Sequence, residues 1–324
     1  MHWLKTYQDE IEEQLNHLSL ASEPEELYDP IKYILAIGGK RMRPLLVALG
    51  AELFGAERAT VTKQALAVEV FHNFTLLHDD IMDEAPLRRG QKTVHEKWNQ
   101  HIAILSGDAM QILAYQLLAE ANPKHLASLL KTFSTTALLV CEGQQRDMNF
   151  ELRDDVSLEE YIRMIKEKTA VLLGAALQIG AICANASEED QKRLYDFGVN
   201  VGLAFQVQDD ILDAFADPEK FGKQVGGDIL ANKKTCLLLL TQQAAKADQQ
   251  EELNAWLNKA EFNPEEKVEA VKALYKSTGG LDATLQLKND FHQKAISSIQ
   301  AISVSESAKQ KLLELSSYLL DREV

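Results

Sequence analysis

The run LLHDDIMD, residues 76–83, sets three aspartates directly behind two leucines and a histidine. At about 100° of turn per residue, Asp79 and Asp83 fall on one helical face and Asp80 on its flank. The surrounding chain supports the helical reading. It has no sustained period-two alternation and no Asn-Gly hairpin turn. Helix starts recur instead, with Ser22 before Glu25, Ser157 before Glu160, Ser187 before Asp190, and Asn263-Pro264 before Glu266. Each pairs a capping side chain with an acidic third position, which satisfies backbone donors at a helix start. Prolines fall mostly in polar connections such as ASEPEELYDP, DEAPLRRG and EFNPEE, between long apolar-periodic segments. The expectation is one all-α domain over residues 1–324, built of many packed helices.

Composition narrows the function. With 46% hydrophobic residues the chain can fill a large core, and a net charge of -15 argues against nucleic acid and anionic lipid surfaces as partners. Cys141, Cys183 and Cys236 are scattered without a metal or disulfide spacing, which fits a reducing compartment. The N-terminal MHWLKTYQDEIEEQLN has no signal core. The longest apolar stretch, at 170–184, is too short for a membrane span of about 20 residues and contains Gln178. A cytoplasmic protein with no membrane span is expected.

The first cluster has an echo in DDILD, residues 209–213, where Asp209, Asp210 and Asp213 repeat the geometry on another helix. Taken singly, such a motif reads as readily as a solvated acidic patch. Two copies embedded in FTLLHDDIMD and LAFQVQDDILD do not. If the helices face each other, six converging carboxylates need a cation among them. Mg2+ suits them, because it takes one or two carboxylates plus substrate phosphates. Basic residues stand apart: Lys40, Arg41 and Arg43 in GGKRMRP, Arg88 and Arg89 in LRRG, and lysines in KFGKQVGGD and ANKKT. Arginine forks match phosphate geometry. His72 precedes Asp79 by seven residues, on nearly the same helical face. Each of these is ordinary alone, and their order is what informs.

In that order the chain resembles the trans-isoprenyl diphosphate synthases, over most of its length. The resemblance also draws on GQQRD at 143–147, KT at 168–169 and FQVQDD at 205–210. It departs in a small way, with Lys92 where family members often have proline. The family implies packed antiparallel helices around a central cavity (the isoprenoid synthase fold) and a homodimer. It further implies isopentenyl diphosphate and an allylic diphosphate as the substrates. By the same resemblance Asp79, Asp83 and Asp209 would bind Mg2+, three ions per site, with Asp80, Asp210 and Asp213 as accessory ligands. Arg88, Lys168, Lys223 and Lys233 would hold the allylic diphosphate, and Lys40, Arg41, Arg43, His72 and Arg89 belong with the substrate-binding set, chiefly for isopentenyl diphosphate. Gln144 and Asp147 would support the cavity, while Thr169 and Gln206 would present oxygens near the reacting carbon.

The residue inventory agrees with such chemistry, since there is no nucleophile elbow and no paired Cys and His. Ionisation to an allylic carbocation, attack by the isopentenyl double bond and proton loss need electrostatic stabilisation and positioning instead. Phe74 and Thr75, five and four residues before Asp79, resemble a geranylgeranyl-type (C20) stop, with Phe71 one turn further back. Farnesyl (C15) and longer products are the alternatives. A terpene cyclase, a regulatory subunit and a di-iron bundle fit less well. Both aspartate clusters and GGKRMRP are intact, and Glu-x-x-His occurs once, at Glu69–His72.

Overall fold

The computed structural model describes residues 2–216 and 226–320. Helices dominate it: α1 (His2–Asn16), α2 (Glu25–Ala36), α3 (Met42–Glu52), α4 (Thr62–Met82), α5 (Val94–Lys97), α6 (Gln100–Ala119), α7 (Pro123–Glu151) and α8 (Leu158–Ile165). They continue as α9 (Val171–Cys183), α10 (Glu188–Phe215), α11 (Gly227–Leu230), α12 (Cys236–Ala244), α13 (Ala247–Leu257), α14 (Pro264–Ser277), α15 (Gly280–Gln300) and α16 (Glu306–Leu320). The all-α expectation holds. Among the described residues the one departure is a hairpin of two short strands, Leu87–Arg88 and Gln91–Lys92.

Three of the four expected helix starts are present. Ser157 and Glu160 form a reciprocal capping box, Ser187 Oγ accepts the Asp190 N–H, and Asn263 accepts the N–H groups of Glu265 and Glu266. Ser22 does not cap α2. Pro24 stands at that position with no side-chain acceptor, so Ser22 lies too far upstream to reach the first turn.

The chain packs as two units, Met1–Ser134 with Ala175–Lys192, and Thr135–Gly174 with Arg193–Val324. In the first unit α4 is the central element, packed on α6, α3 and α2. A helix that is apolar almost all round belongs in such a place. α3 crosses the later turns of α9 where glycines meet: a Cβ on Gly180 would strike Val47 O and come within 2.7 Å of Ala51 N. Gly180→Ala should therefore lower stability by about 1–3 kcal/mol, the usual penalty for overpacking a tight core. An unchanged urea midpoint would show that the crossing yields easily.

α6 is long and apolar enough to cross a membrane by length and composition, longer than the apolar stretch at 170–184. One face packs against α4 and α2, while Ile104, Leu105 and Ile112 are exposed. In the second unit, Leu203, Ala204, Val207 and Ile211 of α10 form a core with Tyr161, Met164, Leu239 and Phe291.

Candidate active site

The first unit holds the first aspartate cluster and most of the singled-out basic residues. Along α4 a line of partly accessible residues, His72, Thr75, Leu76 and Asp79, runs between buried neighbours. Their i, i+3, i+4, i+7 spacing is one helical face, and about 1.5 Å of rise per residue puts His72 and Asp79 about 10 Å apart along it. Asp83 closes the helix end, exposed, its N–H on Asp79 O at 2.9 Å. Asp80 turns inward. It is 2% exposed and takes Arg88 Nε and Nη2 at 2.7–2.9 Å.

Arg88 and Arg89 are aimed by the hairpin. Its two-residue loop, Arg89-Gly90, has φ of 52° and 76°, the sign pattern of a type I′ turn. Arg89 thereby reaches the glycine pair: a Cβ on Gly39 would lie 2.5 Å from Arg89 Nη1, and the φ of 148° there favours glycine. GGKRMRP and LRRG, far apart in sequence, thus meet.

Next to them Arg43 Nη1 lies 3.0 Å from His72 Nε2. Guanidinium can only donate, so Nε2 accepts and the imidazole carries its proton on Nδ1. Burial, then Arg43, Arg89, Arg88 and Arg41, hold His72 well below its ordinary pKa. Burial also brings Arg43 down to about 10, with Arg89 adding to the effect against Glu69, and Arg43 Nε is buried with no hydrogen-bond partner among the described residues. Crowded cations and a starved donor mark a site short of negative charge, which an anion would supply.

Arg41, expected among the substrate-binding residues, differs from its neighbours in its surroundings. It is 3% exposed, and Glu12, Glu69 and Leu35 O take its donors at 2.5–3.2 Å. With φ at 46° it begins α3 pointing inward, so adjacency to Arg43 in sequence does not become a shared set of partners. Glu69 serves Arg41 while His72 serves Arg43, so the single Glu-x-x-His is split between two tasks. Lys40 is exposed, and Gln8 of α1 holds its carbonyl at 2.7 Å.

The low pKa of His72 has a sign that can be checked. The unfolded chain takes up the proton first, so this contribution to stability is complete above about pH 6.5 and is lost as pH falls towards the folded value. Nitrogen-detected titration of the ring should show a neutral Nδ1–H tautomer at about pH 6, and pyrophosphate should raise the pKa. An imidazolium in the free protein at that pH would refute the arrangement.

Phe74, 7% exposed, stacks edge-on against His78 at 4.8 Å and at a tilt against Phe71 at 5.5 Å. Phe71 continues to Phe133 and Phe133 to Tyr115, at 5.1 and 5.0 Å. Thr75 instead lies on the accessible line, its hydroxyl on His72 O. His78, which the sequence did not single out, fastens the end of α4 to α6. Its Nε2 is 3.1 Å from Ile104 O, and Gly107 leaves room for the ring.

The second unit holds the rest. On α10, Gln206, Asp209 and Asp213 are half-buried on one face, while Asp210 turns inward as Asp80 does. Asp210 Oδ2 accepts Tyr161 OH at 2.7 Å and the Cys236 N–H at 3.2 Å. Burial pushes its carboxyl up to about 7. Asp213 accepts the Asp228 N–H at 2.9 Å and so caps α11.

Lys168 and Thr169 lie on a π-helical turn, Lys166–Ala170. Such turns recur at functional sites. Two glycines grip this one, for a Cβ on Gly143 of α7 would strike Lys168 N, and one on Gly202 of α10 would lie 2.8 Å from Ala170 Cα. The grip sets α7 in register: Lys168 Nζ donates to Asp147 at 2.6 Å and Arg146 Nε to Glu167 at 2.7 Å. Arg146 and Glu167 were missed. Glycines in the middle of helices were the available signal. Gln144 is half-buried beside Gly143. Lys233 is exposed, 3.9 Å from Asp228. Lys223 and the C-terminal Arg322 fall outside the described residues.

Asp79 and Asp83 in the first unit, and Asp209 in the second, each offer the hard carboxylate oxygens that suit Mg2+. Among the described residues no group of three or more side chains is gathered at metal-ligand spacing.

A family profile described as polyprenyl synthetase matches residues 24–276. A geranylgeranyl diphosphate synthase of Sulfolobus acidocaldarius is 35% identical over 321 residues, covering 97% of each chain. A solved geranylgeranyl pyrophosphate synthase superposes with TM-score 0.94 at 50% identity, covering 99% of both chains. Another, from Pyrococcus horikoshii, gives 0.91 at 34% identity, covering 99% of this chain and 98% of its own.

Proposed function

The chain belongs to the polyprenyl synthetase family, and from that premise we propose that it condenses isopentenyl diphosphate with an allylic diphosphate to make geranylgeranyl diphosphate. The family consists of prenyltransferases acting on isoprenyl diphosphates and is generally Mg2+-dependent. The observation that carries the reading is the accessible line on α4, with a charge-starved Arg43–His72–Arg89 cluster at one end and Asp79 at the other.

In this reading Arg43, Arg89 and Lys40 bind isopentenyl diphosphate, and His72, kept neutral, orients Arg43. Lys168 and Lys233 hold the allylic diphosphate, each resting on a carboxylate in the free protein. Thr169 and Gln206 supply neutral oxygens that stabilise developing positive charge without capturing it. Asp79, Asp83 and Asp209 would hold Mg2+, three ions in all, which when bound neutralises the leaving diphosphate. The three cysteines are free, in keeping with a cytoplasmic enzyme. We assign a homodimer to the exposed face of α6 that carries Ile104, Leu105 and Ile112. Light scattering should then return twice the chain mass of 36.2 kDa, and the mass of one chain would remove the assignment.

The test is a product assay with Mg2+, labelled isopentenyl diphosphate and, in turn, dimethylallyl, geranyl and farnesyl diphosphates. A dominant C20 alcohol after dephosphorylation, lost with EDTA, is expected. Phe74→Ala should then lengthen the product by opening the aromatic stack. The same C20 product from the variant would return Phe74 to a purely packing role, and no elongation with any primer would overturn the function.

A further inference from the structure

Lys267 is a buried lysine that the proposed chemistry leaves unused. It lies on α14, is 0% exposed, and donates from Nζ to Asn232 Oδ1 at 2.7 Å. The ammonium also sits 4.2 Å from the centroid of the Phe262 ring. Burying an ammonium is costly unless it is well paired, so a lysine kept there needs a reason.

Its partner is the apex of the loop that carries Lys233. Asn232 holds φ at 52°, a left-handed conformation, and its own amide donates to Leu257 O at 2.9 Å. Its side chain is thus fixed at both ends, oxygen on α14 and nitrogen on the end of α13. Lys233 follows at once, its N–H on Asp228 O at 2.9 Å. The loop's flanks are tied elsewhere, Asp228 N–H to Asp213 and Cys236 N–H to Asp210. α14 makes a second close approach at the start of this segment, where a Cβ on Gly226 would lie 2.7 Å from Val268 Cγ2. Two carboxylates of the second cluster therefore hold the ends of the segment, and α14 holds its middle.

We propose that Lys267 is a positioning residue for the allylic diphosphate, setting Lys233 by fixing Asn232. This rests on the assignment of Lys233 to that diphosphate. Burial lowers the Lys267 pKa, and the bond from Nζ to Asn232 Oδ1 is one that the amine donates in either protonation state.

The test is steady-state kinetics of Lys267→Met, which keeps the apolar stem and removes the donor. KM for the allylic substrate should rise about tenfold, the scale seen when an outer partner of a ligand-binding group is removed, with KM for isopentenyl diphosphate unchanged. Asn232→Gly, which tolerates the left-handed backbone but lacks the side chain, should behave alike, and it stands in if Lys267→Met does not fold. Val271→Ala on the same helix is the control, expected to lower the melting temperature without moving either KM. In a Lys233→Ala background the effect of Lys267→Met on the allylic KM should vanish. An additive effect there, or a lowered melting temperature with an unchanged allylic KM, overturns the positioning role alone. Lys233→Ala with an unchanged allylic KM overturns the Lys233 assignment and the proposal with it.

Discussion

Asp79→Ala should lower turnover about a thousandfold while leaving the melting temperature near that of the wild type. The scale is that of removing one preorganised electrostatic stabiliser from a charge-separating step. The separation of activity from stability follows from the division of labour within the first cluster. Arg88 is held by Asp80 at 2.7–2.9 Å and stands 3.8 Å from Asp79, so it keeps its place when Asp79 is removed. The converse substitution tells the two apart. Asp80→Ala strands a half-buried guanidinium and should reduce stability by about 3 kcal/mol, as when one member of a buried pair is deleted. Turnover and Mg2+ dependence of Asp79→Ala, measured beside its melting curve, decide the matter. Wild-type rates would take Asp79 out of the metal set.

That division was not legible in the sequence. Asp79 and Asp80 are adjacent and chemically identical, and the helical angle alone could place Asp80 only on a flank. Its fate depends on the hairpin, and the hairpin on Arg89-Gly90, a turn pair outside the Asn-Gly signal. Arg41 illustrates the same limit. Its partners Glu12 and Glu69 come from two other helices, and periodicity within GGKRMRP contains nothing about them. Local signals did better. The capping box at Ser157 and the Asn263 cap involve residues within one turn, where side chain and backbone are bound to meet. The π turn at Lys168 lies at the other extreme, set by Gly143 and Gly202 pressing from separate helices.

The second cluster should divide as the first does, with Asp209→Ala losing turnover about a thousandfold and Asp210→Asn keeping it within about tenfold. Asp209 is half-buried on the same face of α10 as Gln206, whereas Asp210 is 5% exposed. Both donors to Asp210, Tyr161 OH and the Cys236 N–H, converge on one oxygen, Oδ2. An asparagine oxygen in that position accepts both, so the isosteric change preserves the contacts and removes only the charge. The charge has its own signature. Burial raises the folded pKa of Asp210 from 3.8 to about 7, so between those values the native state binds the extra proton. Stability contributed by that proton is present below the unfolded pKa and is lost as pH rises through the folded value. Urea midpoints of the wild type should therefore decline relative to those of Asp210→Asn as pH climbs from about 4 to about 7. Parallel curves would show that Asp210 does not carry the raised pKa. A thousandfold loss of turnover in Asp210→Asn, with a normal melting curve, would place its carboxylate among the metal ligands instead.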